Sequence, residues 1–431
     1  MSFLDEFTHL YAVGAGGIGI SAVAKFSLAN GKRVSGCDLV VSDQTNAVLA
    51  LGGEITIGQS PTELPTGVDL VVYSEAVPIT DVVLISAKKR SIKTLGHFEF
   101  FGELANNYFV ICVTGTHGKS TTTAMLAECL IALGMDPTVF VGSVVPGWKL
   151  GNLRIGKVQN EGKGILLIEG DEYKRKMLSL RPAITLITNI EADHLEIYGD
   201  LSGVVAGFQQ LAEQTTSVVF VNKDDVHSAQ LSGNRLVEYS ASDLGELKLL
   251  VPGIFNRANA AGARAVVNWL SADSDRTNID IALQNYRGIW RRFEVVGEFK
   301  GATVISDYAH HPTAIKATLK AVREFYPDRR IVLLFEPHQH RRTMDFFEEF
   351  SKSFDLADEL VLSEIYGVTG RTTATETVSS KQLLEATNHP HGHYALNLEV
   401  AEALLRQIIL PKDVLLVMGA GDVDQVARRL V

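Results

Sequence analysis

Short apolar runs rich in β-forming residues alternate along the chain with segments in which apolar residues recur every three or four positions. The first such run, "LYAV", precedes a glycine-rich turn and the helical pattern "ISAVAKFSLANG". Later runs of the same kind are "KRVSGCD", "VDLVVYS", "YFVICV", "GILLIEG", "AITLITNI", "SVVFVN", "ATVISD", "RIVLLFE", "ELVLSE" and "VLLVMGAG". Continuous apolar strands separated by helices predict parallel sheets covered on both faces, which is an α/β fold.

The 431 residues are too many for a single hydrophobic core, so two or three domains are expected. The strand–helix series is interrupted at Asn106–Asn107 and begins again near "IWRRFE", and the sequence contains no internal repeat. We therefore predict three α/β domains, with the boundaries 1–107, 108–290 and 291–431.

The composition is that of an ordinary globular protein, with 46% hydrophobic and 21% charged residues. A net charge of −10 argues against nucleic acid or an anionic membrane as a partner, so a phosphate-bearing ligand must be held by local groups. Three scattered cysteines without CxxC spacing are typical of reduced thiols in a cytoplasmic protein. The N-terminus lacks the pattern of a signal peptide, and no apolar run is long enough to cross a bilayer.

The glycine-rich stretch "GAGGIG", from Gly14 to Gly19, lies between a predicted strand and a predicted helix. Glycines let the backbone approach a diphosphate, and the amides at the start of the helix can bind its oxygens. Asp38 ends the next strand, where its carboxylate could accept a hydrogen bond from a ribose hydroxyl. This pattern is found in NAD-binding proteins, but it suits any diphosphate nucleotide, and a turn without a ligand is also compatible with it.

The stretch "VTGTHGKSTTT" predicts a phosphate-binding loop, although Val113 occupies the place of the usual first glycine. The amides of Gly115 and Gly118 can surround phosphate oxygens, and Lys119 can reach the terminal phosphates of ATP. Ser120 can ligate Mg²⁺. The position of this stretch between a strand and a helix is the context that such a loop requires.

Two polar clusters follow later strands of the same segment. The first cluster consists of Glu169, Asp171 and Glu172, and the second consists of Asn189, Glu191, Asp193 and His194. In a parallel sheet these strand ends lie beside the phosphate loop, and carboxylate oxygens are the ligands that Mg²⁺ prefers. Taken together, the clusters predict a metal site.

A third group of polar residues lies in "SDYAHHPTAI" and "FEPHQHRRT", again at strand ends. The histidines His310, His311, His338 and His340 lack the spacing of a zinc site, and neighbouring arginines disfavour a cation. An anion or carboxylate site, bound by Arg341 or Arg342, fits this part of the sequence better.

An ordered series of motifs over the whole chain resembles the Mur ligase family. The motifs are "VGAGGIGISAVA", "VSGCD", "GTHGKSTTTAM", "GNLRIG", "EGDEY", "TNIEADHLEIYGD", "FNRANA", "RRFE", "DYAHHPT", "PHQHRRT", "IYG…VSS" and "VMGAGDV". The resemblance implies an N-terminal Rossmann-like domain, a central P-loop ATPase-type domain with a mostly parallel sheet, and a C-terminal Rossmann-like domain.

The resemblance also implies an activity, and it is strongest to the branch that adds the first amino acid. In that reaction ATP, with Mg²⁺, phosphorylates the lactyl carboxylate of UDP-N-acetylmuramate, and the amine of L-alanine attacks the acyl phosphate. The products are an amide, ADP and phosphate, in the synthesis of peptidoglycan precursors. At "GAGGIG" the resemblance implies UDP rather than NAD.

The resemblance implies the following site residues. The UDP-sugar side comprises Gly16, Gly17, Ile18, Gly19, Asp38, Ser74, His117 and Asn152. The ATP side comprises Gly115, Thr116, Gly118, Lys119, Ser120, Thr121, Asn256, Asn259, Arg292 and Asp307. The metal ligands are Ser120, Glu169 and His194, and the catalytic residues are Lys119, Glu169, His194 and Arg292. The amino-acid side comprises Tyr308, His310, His338 and Arg342.

Several positions depart from the family's usual motifs. Phe255 replaces a histidine, Gly170 replaces alanine or serine, Lys174 replaces an acidic residue and His97 replaces arginine. "IYGVTGR", which begins at Ile365–Tyr366, also differs from the usual pattern. The changes at His97 and in "IYGVTGR" affect the choice of the acceptor amino acid more than the chemistry of ATP.

Three other functions would account for parts of the sequence. A sister ligase attaches a preformed tripeptide to the same sugar nucleotide, but "PHQHRRT" and the modest chain length favour the alanine enzyme. An NAD-dependent dehydrogenase would leave the Lys-Ser loop and the acidic clusters unexplained. A nucleotide-binding protein without catalytic activity would not need Lys119, Ser120, Glu169 and His194 together.

Overall fold

A computed structural model describes residues 2–58, 63–157, 163–271, 276–367 and 378–431. These residues form three β-sheets with helices on their faces. Contacts divide the chain into two compact units, Met1–Lys248 with Ala258–Tyr286 and Leu249–Arg257 with Arg287–Val431. The first unit contains the first two sheets, and the second unit contains the third sheet.

The first sheet consists of five parallel strands. They are β1 (His9–Val13), β2 (Arg33–Asp38), β3 (Glu54–Ile57), β4 (Leu70–Tyr73) and β5 (Lys93–Gly96). Their helices are α1 (Ile18–Ala29), α2 (Asp43–Ala50), α3 (Val82–Lys89) and α4 (His97–Ala105). The order β3-β2-β1-β4-β5 makes β1 the central strand, so the loops that follow β1 and β4 separate at a topological switch point.

The second sheet has seven strands in the described residues. They are β6 (Phe109–Thr114), β7 (Thr138–Phe140), β8 (Leu153–Arg154), β9 (Ile165–Glu169), β10 (Ile184–Ile187), β11 (Val218–Asn222) and β12 (Leu236–Tyr239). The helices are α5 (Lys119–Ala132), α6 (Leu195–Tyr198), α7 (Leu201–Gln214), α8 (Ile254–Ser271) and α9 (Arg276–Asn285). The order is β12-β11-β10-β6-β9-β7-β8, and only the pairing of β7 with β8 is antiparallel. Strands β9 and β10 therefore flank β6, and their carboxyl ends lie on either side of the loop that follows it.

The third sheet has six strands in the described residues. They are β13 (Glu294–Phe299), β14 (Ala302–Asp307), β15 (Ile331–Phe335), β16 (Glu359–Ser363), β17 (Gly392–Ala395) and β18 (Val414–Met418). The helices are α10 (Pro312–Phe325), α11 (His340–Asp345), α12 (Phe347–Ser351), α13 (Ser380–Thr387), α14 (Leu398–Ile408) and α15 (Asp424–Leu430). The order is β13-β14-β18-β15-β16-β17, and β13 is antiparallel to β14 while the other pairs are parallel.

The predicted fold class is confirmed: each sheet is parallel or mostly parallel and is covered by helices. All eleven strands predicted from apolar runs occur. The strands that the apolar pattern did not predict, β3, β5, β7, β8, β12, β13 and β17, lie at or next to the sheet edges. The exact domain boundaries stay a prediction. In the part of the chain that the structure describes, no helix has both the length and the apolar character needed to cross a membrane.

Candidate functional site

The predicted phosphate loop connects β6 to α5 and contains two glycines with positive φ. Gly115 has φ 138° and Gly118 has φ 81°, a region that side chains larger than glycine rarely adopt. Val113 is a fully buried residue of β6, paired with Glu169 of the neighbouring strand. The strand thus continues through the place of the usual first glycine, and the turn begins at Gly115.

Asn189, at the end of β10, fixes the shape of this loop. Its Oδ1 accepts from the backbone amide of His117 at 2.9 Å, and its Nδ2 donates to the His117 carbonyl at 2.9 Å. The amide of Thr116 donates to the Asn189 carbonyl at 3.0 Å. Asn259 packs against the loop, since a Cβ atom added at Gly118 would lie 2.5 Å from its Oδ1. Asn189 and Asn259, which lie far apart in the sequence, therefore both contact the loop.

Lys119 folds back over the loop and pairs with Glu172. Its Nζ donates to the carbonyls of Gly115 at 2.8 Å and Thr116 at 3.1 Å, and it lies 2.8 Å from Oε2 of Glu172. Burial opposes the charge of Lys119, but Glu172 and the acids beside it outweigh burial and raise its pKa. Burial raises the pKa of Glu172, while Lys119 acts in the opposite direction. The ammonium group therefore stays charged at the mouth of the loop.

Ser120 and Glu169 form the second contact of the loop. The hydroxyl of Ser120 donates to Oε1 of Glu169 at 2.9 Å, and the amide of Gly142 donates to Oε2 at 2.6 Å. A hydroxyl and a carboxylate held together at the start of α5 are hard oxygen donors of the kind that Mg²⁺ prefers.

His194 lies next to the Lys119–Glu172 pair. Its Nε2 is 3.8 Å from Oε1 of Glu172 and 3.8 Å from Oδ2 of Asp193, and its ring centroid is 4.8 Å from that of Tyr173. The backbone φ of His194 is 53°, an uncommon value outside glycine. The structure thus brings Lys119 and His194 to the same carboxylate, Glu172.

Glu172 belongs to the predicted acidic cluster after β9. The resemblance implies a site role for Glu169 of that cluster but not for Glu172. Its side chain is 5% exposed, and it contacts both the loop lysine and the histidine. The sequence predicted an acidic cluster at this strand end, but it did not indicate which acid of the cluster would contact the loop.

The glycine loop after β1 meets the ends of the two strands beside it. The amide of Gly16 donates to Oδ2 of Asp38 at 2.7 Å, and a Cβ atom added at Gly16 would lie 2.9 Å from that oxygen and from the hydroxyl of Ser42. Ser74, which follows β4, lies against Gly14. The predicted residues Gly16, Asp38 and Ser74 therefore gather at the switch point of the first sheet.

Asn152 supports this glycine loop from behind. It is fully buried, its Nδ2 donates to the carbonyl of Ile18 at 2.6 Å, and its Oδ1 accepts from Nζ of Lys25. Lys25 also donates to the carbonyl of Leu150 at 2.8 Å. Burial lowers the pKa of Lys25 to about 8. The role of Asn152 in sugar-nucleotide binding remains a prediction, and the structure gives it a supporting position.

His97 begins α4 and lies against the end of the glycine loop. A Cβ atom added at Gly19 would lie 2.8 Å from Cδ2 of His97. Burial, and after it the charge of Lys176, lower the pKa of His97 to about 4. Nζ of Lys176 lies 2.7 Å from Oδ2 of Asp171 and 3.2 Å from Oε2 of Glu75. A neutral imidazole therefore faces the glycine loop, and the nearby cation is a lysine held by two acids.

In the second unit, four predicted residues form one cluster. Nδ1 of His310 bonds to the carbonyl of Tyr308 at 2.9 Å, and the rings of His310 and His338 are 5.9 Å apart. Nη1 of Arg342 lies 3.5 Å from Nδ1 of His338. Tyr366 stacks on His338 with a centroid distance of 5.4 Å and an interplanar angle of 7°. Arg342 belongs to this cluster, whereas Nε of the exposed Arg341 pairs with Asp345 at 2.9 Å.

Three further predicted residues lie in the same unit. The guanidinium of Arg292 lies 4.8 Å from the centroid of the Tyr308 ring. The carboxylate of Asp307 is buried and accepts from the amides of Phe293 at 2.7 Å and Ala309 at 2.8 Å. Asn256 donates from Nδ2 to the carbonyl of Pro252 at 2.7 Å. Ligand roles for these residues remain predictions.

A cleft of about 1230 Å³ in the first unit lies away from all of these groups. It is lined by Phe109 and Ile165, the first residues of β6 and β9, by Ala183, which precedes β10, and by Glu99 and Arg181. None of the predicted site residues, all of which the structure describes, line it. Ligands of parallel sheets bind beyond the carboxyl ends of the strands, so the volume of this cleft does not mark the active site.

Comparison with protein families gives three matches in chain order. Residues 9–109 match the "Mur ligase family, catalytic domain", residues 113–245 match the "Mur ligase middle domain" and residues 291–421 match the "Mur ligase, glutamate ligase domain". The chain belongs to the Mur ligase family. Membership confirms the predicted class of enzyme, an ATP-dependent ligase that forms an amide bond.

Individual Mur ligases resemble the chain over its full length. The UDP-N-acetylmuramate–L-alanine ligase of Salinibacter ruber is 36% identical, over 99% of this chain and 95% of the relative. The crystal structure of UDP-N-acetylmuramate–alanine ligase from Thermotoga maritima superposes with a TM-score of 0.82 and 28% identity, with 98% of each chain covered. A murein peptide ligase from Psychrobacter arcticus has a TM-score of 0.72 at 22% identity, which shows a shared fold.

The structure explains two departures from the Mur ligase motifs. A Cβ atom added at Gly170 would lie 2.6 Å from Sγ of Cys112, so the thiol occupies the space of the missing methyl group. Phe255 packs against the core of the second unit, where a polar imidazole would be less favourable. Lys174 places its Nζ 5.6 Å from the centroid of the Tyr173 ring. In "IYGVTGR", residues 368–371 lie outside the described residues, while Tyr366 pairs with His338 through a β-bridge.

Proposed function

We propose that this Mur ligase joins L-alanine to the lactyl carboxylate of UDP-N-acetylmuramate, at the expense of ATP, in the cytoplasm. The observation that carries the proposal is the full-length similarity to relatives named UDP-N-acetylmuramate–L-alanine ligase. The unbridged, buried cysteines are compatible with a reducing compartment. The small-molecule substrates would be UDP-N-acetylmuramate, L-alanine and ATP.

The phosphate loop supports the ATP side of this proposal. The amides of the Gly115–Gly118 turn would bind phosphate oxygens, and the ammonium of Lys119 would balance charge on the terminal phosphates. Because Glu172 holds Lys119 at 2.8 Å, the cation has a defined position without ligand. Such fixed charges stabilise a transition state without further reorganisation.

The donor set at the start of α5 fits Mg²⁺. The hydroxyl of Ser120 and the carboxylate of Glu169 lie 2.9 Å apart, and both are hard oxygen ligands. We propose that Ser120 and Glu169 hold one ion and that His194 contributes to a second. Bound Mg²⁺ would neutralise charge on the phosphates, since the carboxylate and ATP are both anions.

The sugar nucleotide would bind at the switch point of the first sheet. Gly16, Gly17 and Gly19 leave room for a diphosphate, and the start of α1 directs amides towards it. Asp38, in contact with Gly16, would reach the ribose. Ser74, His117 and Asn152 would complete this side, with Asn152 supporting the carbonyl of Ile18.

The reaction would proceed in two steps. The lactyl carboxylate attacks the γ-phosphorus of ATP, the bond from that phosphorus to the bridging oxygen of ADP breaks, and an acyl phosphate forms. Phosphorylation converts a poor acyl group into one with a good leaving group. The amine of L-alanine, bound by the cluster of Tyr308, His310, His338 and Arg342, then attacks the acyl carbon and releases phosphate. Arg292 would stabilise charge on the phosphates and Asp307 would contact the ATP ribose.

The test is phosphate release from ATP with Mg²⁺ and UDP-N-acetylmuramate, measured separately with L-alanine, glycine, L-serine and the tripeptide. We expect release that depends on the sugar nucleotide and is fastest with L-alanine. A pocket discriminates one methylene by only about 1–3 kcal/mol, so slower release with glycine or serine is compatible with the proposal. Release with the tripeptide alone would assign the protein to the peptide-adding branch, and no release with any acceptor would refute the proposed activity.

A further inference from the structure

Glu336 is a buried acid beside the histidine–arginine cluster of the second unit. It follows the fully buried strand β15 directly and is itself 4% exposed. It lies two positions before His338. A Cβ atom added at Gly421 would overlap both Oε2 of Glu336 and the ring of Tyr366. The carboxylate and the ring that stacks on His338 therefore flank the same glycine.

The contacts of Glu336 include backbone amides but no cation at ion-pair distance. The amide of Val423 donates to Oε2 at a long 3.3 Å, the amide of Asp422 also hydrogen-bonds to the carboxylate, and within the described ranges Glu336 takes part in no ion pair. The guanidinium of Arg291, whose charge acts on Glu336, donates instead to the carbonyls of Gly419 at 2.5 Å and Gly421 at 2.9 Å. A buried carboxylate without a cation is costly, which makes a ligand cation the natural partner.

Two other acids of the second unit, Asp307 and Glu364, are held by hydrogen bonds, and Asp422 is exposed to solvent. Asp307 accepts from two backbone amides, and Glu364 accepts from the amides of Ile365 and Ser380 and from the hydroxyl of Tyr394. An amino acid at neutral pH carries a carboxylate and an ammonium group. The cluster of Arg342 and His338 suits the carboxylate. Glu336, which is buried, forms no ion pair among the described residues and flanks the same glycine as Tyr366, is placed to bind the ammonium group.

We propose that Glu336 binds the α-ammonium group of the acceptor amino acid and removes its proton before the nitrogen attacks the acyl phosphate. This inference rests on the proposed function, because it requires an amino acid as the second substrate. Glu336 is thereby a catalytic residue in addition to those predicted from the sequence.

The carboxylate of Glu336 takes one proton from the ammonium group, which leaves a neutral amine with a free electron pair. That pair forms the bond from nitrogen to the acyl carbon while the bond from this carbon to the phosphate oxygen breaks. The second proton leaves with the phosphate as hydrogen phosphate, and Glu336 returns its own proton to water.

The ionisation of Glu336 suits this task. Burial, with a contribution from the charge of Asp422, raises the pKa of Glu336 to about 7, although the amides of Val423 and Asp422 and the guanidinium of Arg291 act against them. Tyr366 is the other titratable group that faces it. A base with a pKa near the working pH combines a useful fraction of the basic form with a useful affinity for the proton.

The experiment compares wild type, Glu336→Gln and the matched control Glu385→Gln, which carries the same substitution at an exposed position of α13. Phosphate release is measured against L-alanine concentration at several pH values. In parallel, hydroxylamine, a nucleophile that is uncharged at neutral pH, replaces L-alanine and traps the acyl phosphate as a hydroxamate.

We expect Glu336→Gln to lower kcat/KM for L-alanine by on the order of 10²-fold, with hydroxamate formation and the KM values for ATP and UDP-N-acetylmuramate unchanged. Wild-type kcat/KM for L-alanine is expected to fall below about pH 7, and this limb should be absent in the variant. The control should behave as wild type.

Three results would overturn the inference. They are an unchanged kcat/KM for L-alanine in Glu336→Gln, an equal loss of hydroxamate formation, and a wild-type profile without a limb near pH 7. The last result is decisive even if the variant does not fold. Wild-type enzyme that releases no phosphate with UDP-N-acetylmuramate and L-alanine would instead refute the proposed function, so the two failures are distinguishable.

Discussion

Lys119 and Glu172 form a buried ion pair in which Nζ of the lysine lies 2.8 Å from Oε2 of the glutamate. The pair joins the phosphate loop to the strand end that follows β9, and His194 lies 3.8 Å from the other oxygen of Glu172. One carboxylate thus positions two residues on which the proposed ATP chemistry depends.

Lys119→Ala is expected to abolish phosphate release while leaving binding of UDP-N-acetylmuramate intact, because the proposed role of the lysine is to bind the phosphates of ATP. It should also destabilise the protein by about 3 kcal/mol, since Glu172 loses its buried partner. The double variant Lys119→Ala/Glu172→Gln should recover most of this stability without recovering activity. Urea unfolding and phosphate release measure the two effects, and a single variant that still turns over ATP would disprove the assignment of Lys119.

Gly170→Ala is expected to destabilise the protein by about 1–3 kcal/mol, because the added methyl group meets Sγ of Cys112 at 2.6 Å. The double variant Gly170→Ala/Cys112→Ala should be more stable than the single glycine variant, since the thiol is removed from the contact. Cys129→Ala, which removes another fully buried thiol, is the matched control and should give no rescue. A double-mutant cycle by urea unfolding measures the coupling, and additive effects would contradict the proposed contact.

Lys25 should make the protein more stable as the pH rises from about 8 to 10.5. Burial lowers its pKa to about 8 in the folded protein, whereas the ordinary value is 10.5, so the unfolded chain binds more protons in this interval. The unfolding free energy of wild type should therefore rise relative to that of Lys25→Met, by up to about 1.4 kcal/mol per pH unit.

The measurement is the pH dependence of urea unfolding in wild type, Lys25→Met and Lys89→Met. Lys89 is an exposed lysine of α3, so its replacement should leave the slope unchanged. Equal slopes in wild type and Lys25→Met would mean that Lys25 titrates as an ordinary surface lysine.

His97 should make the protein less stable as the pH falls from 6.5 to about 4. Burial and Lys176 lower its pKa to about 4, so in this interval the unfolded chain takes up a proton that the folded protein does not. His97→Gln should remove this part of the acid sensitivity, which urea unfolding at several pH values would detect.

Lys176→Met provides a second test of the same assignment. Removing the ammonium group should raise the pKa of the His97 imidazole, which an NMR titration of the ring would record. His227→Gln, in the same unit, is the control for the unfolding series. An unchanged imidazole titration in Lys176→Met would show that burial alone determines the pKa of His97.

Much of the site could be predicted from the sequence because its residues occupy fixed places after strands. Gly115, Lys119, Ser120 and Glu169 follow apolar runs, and parallel pairing brings such strand ends to one edge of a sheet. The strands that the apolar pattern did not predict lie at or beside the edges of the sheets, where the edge of the sheet faces solvent. For example, β3 has one half-buried residue among three exposed ones, and its sequence lacks a continuous apolar run.

Other features depended on distances that no local pattern contains. Glu172 was one of several acids in a cluster, and the structure alone showed that it contacts Lys119. Lys25 lies in an ordinary helical pattern, yet it is 2% exposed because Asn152 and Leu150 approach it from another sheet. In the sequence, Glu336 cannot be distinguished from other acids that follow strands. The structure places it beside Gly421 and Tyr366.

The sequence by itself determined the α/β class, the order of the predicted strands, the phosphate and glycine loops, and the family. These properties follow from periodicity and from short motifs, which are local in the chain. The tertiary structure decided which acid pairs with Lys119, why Gly170 must be a glycine, and which ionisable side chains are buried. Those outcomes depend on contacts between segments far apart in sequence, where burial and charge act over a few ångströms.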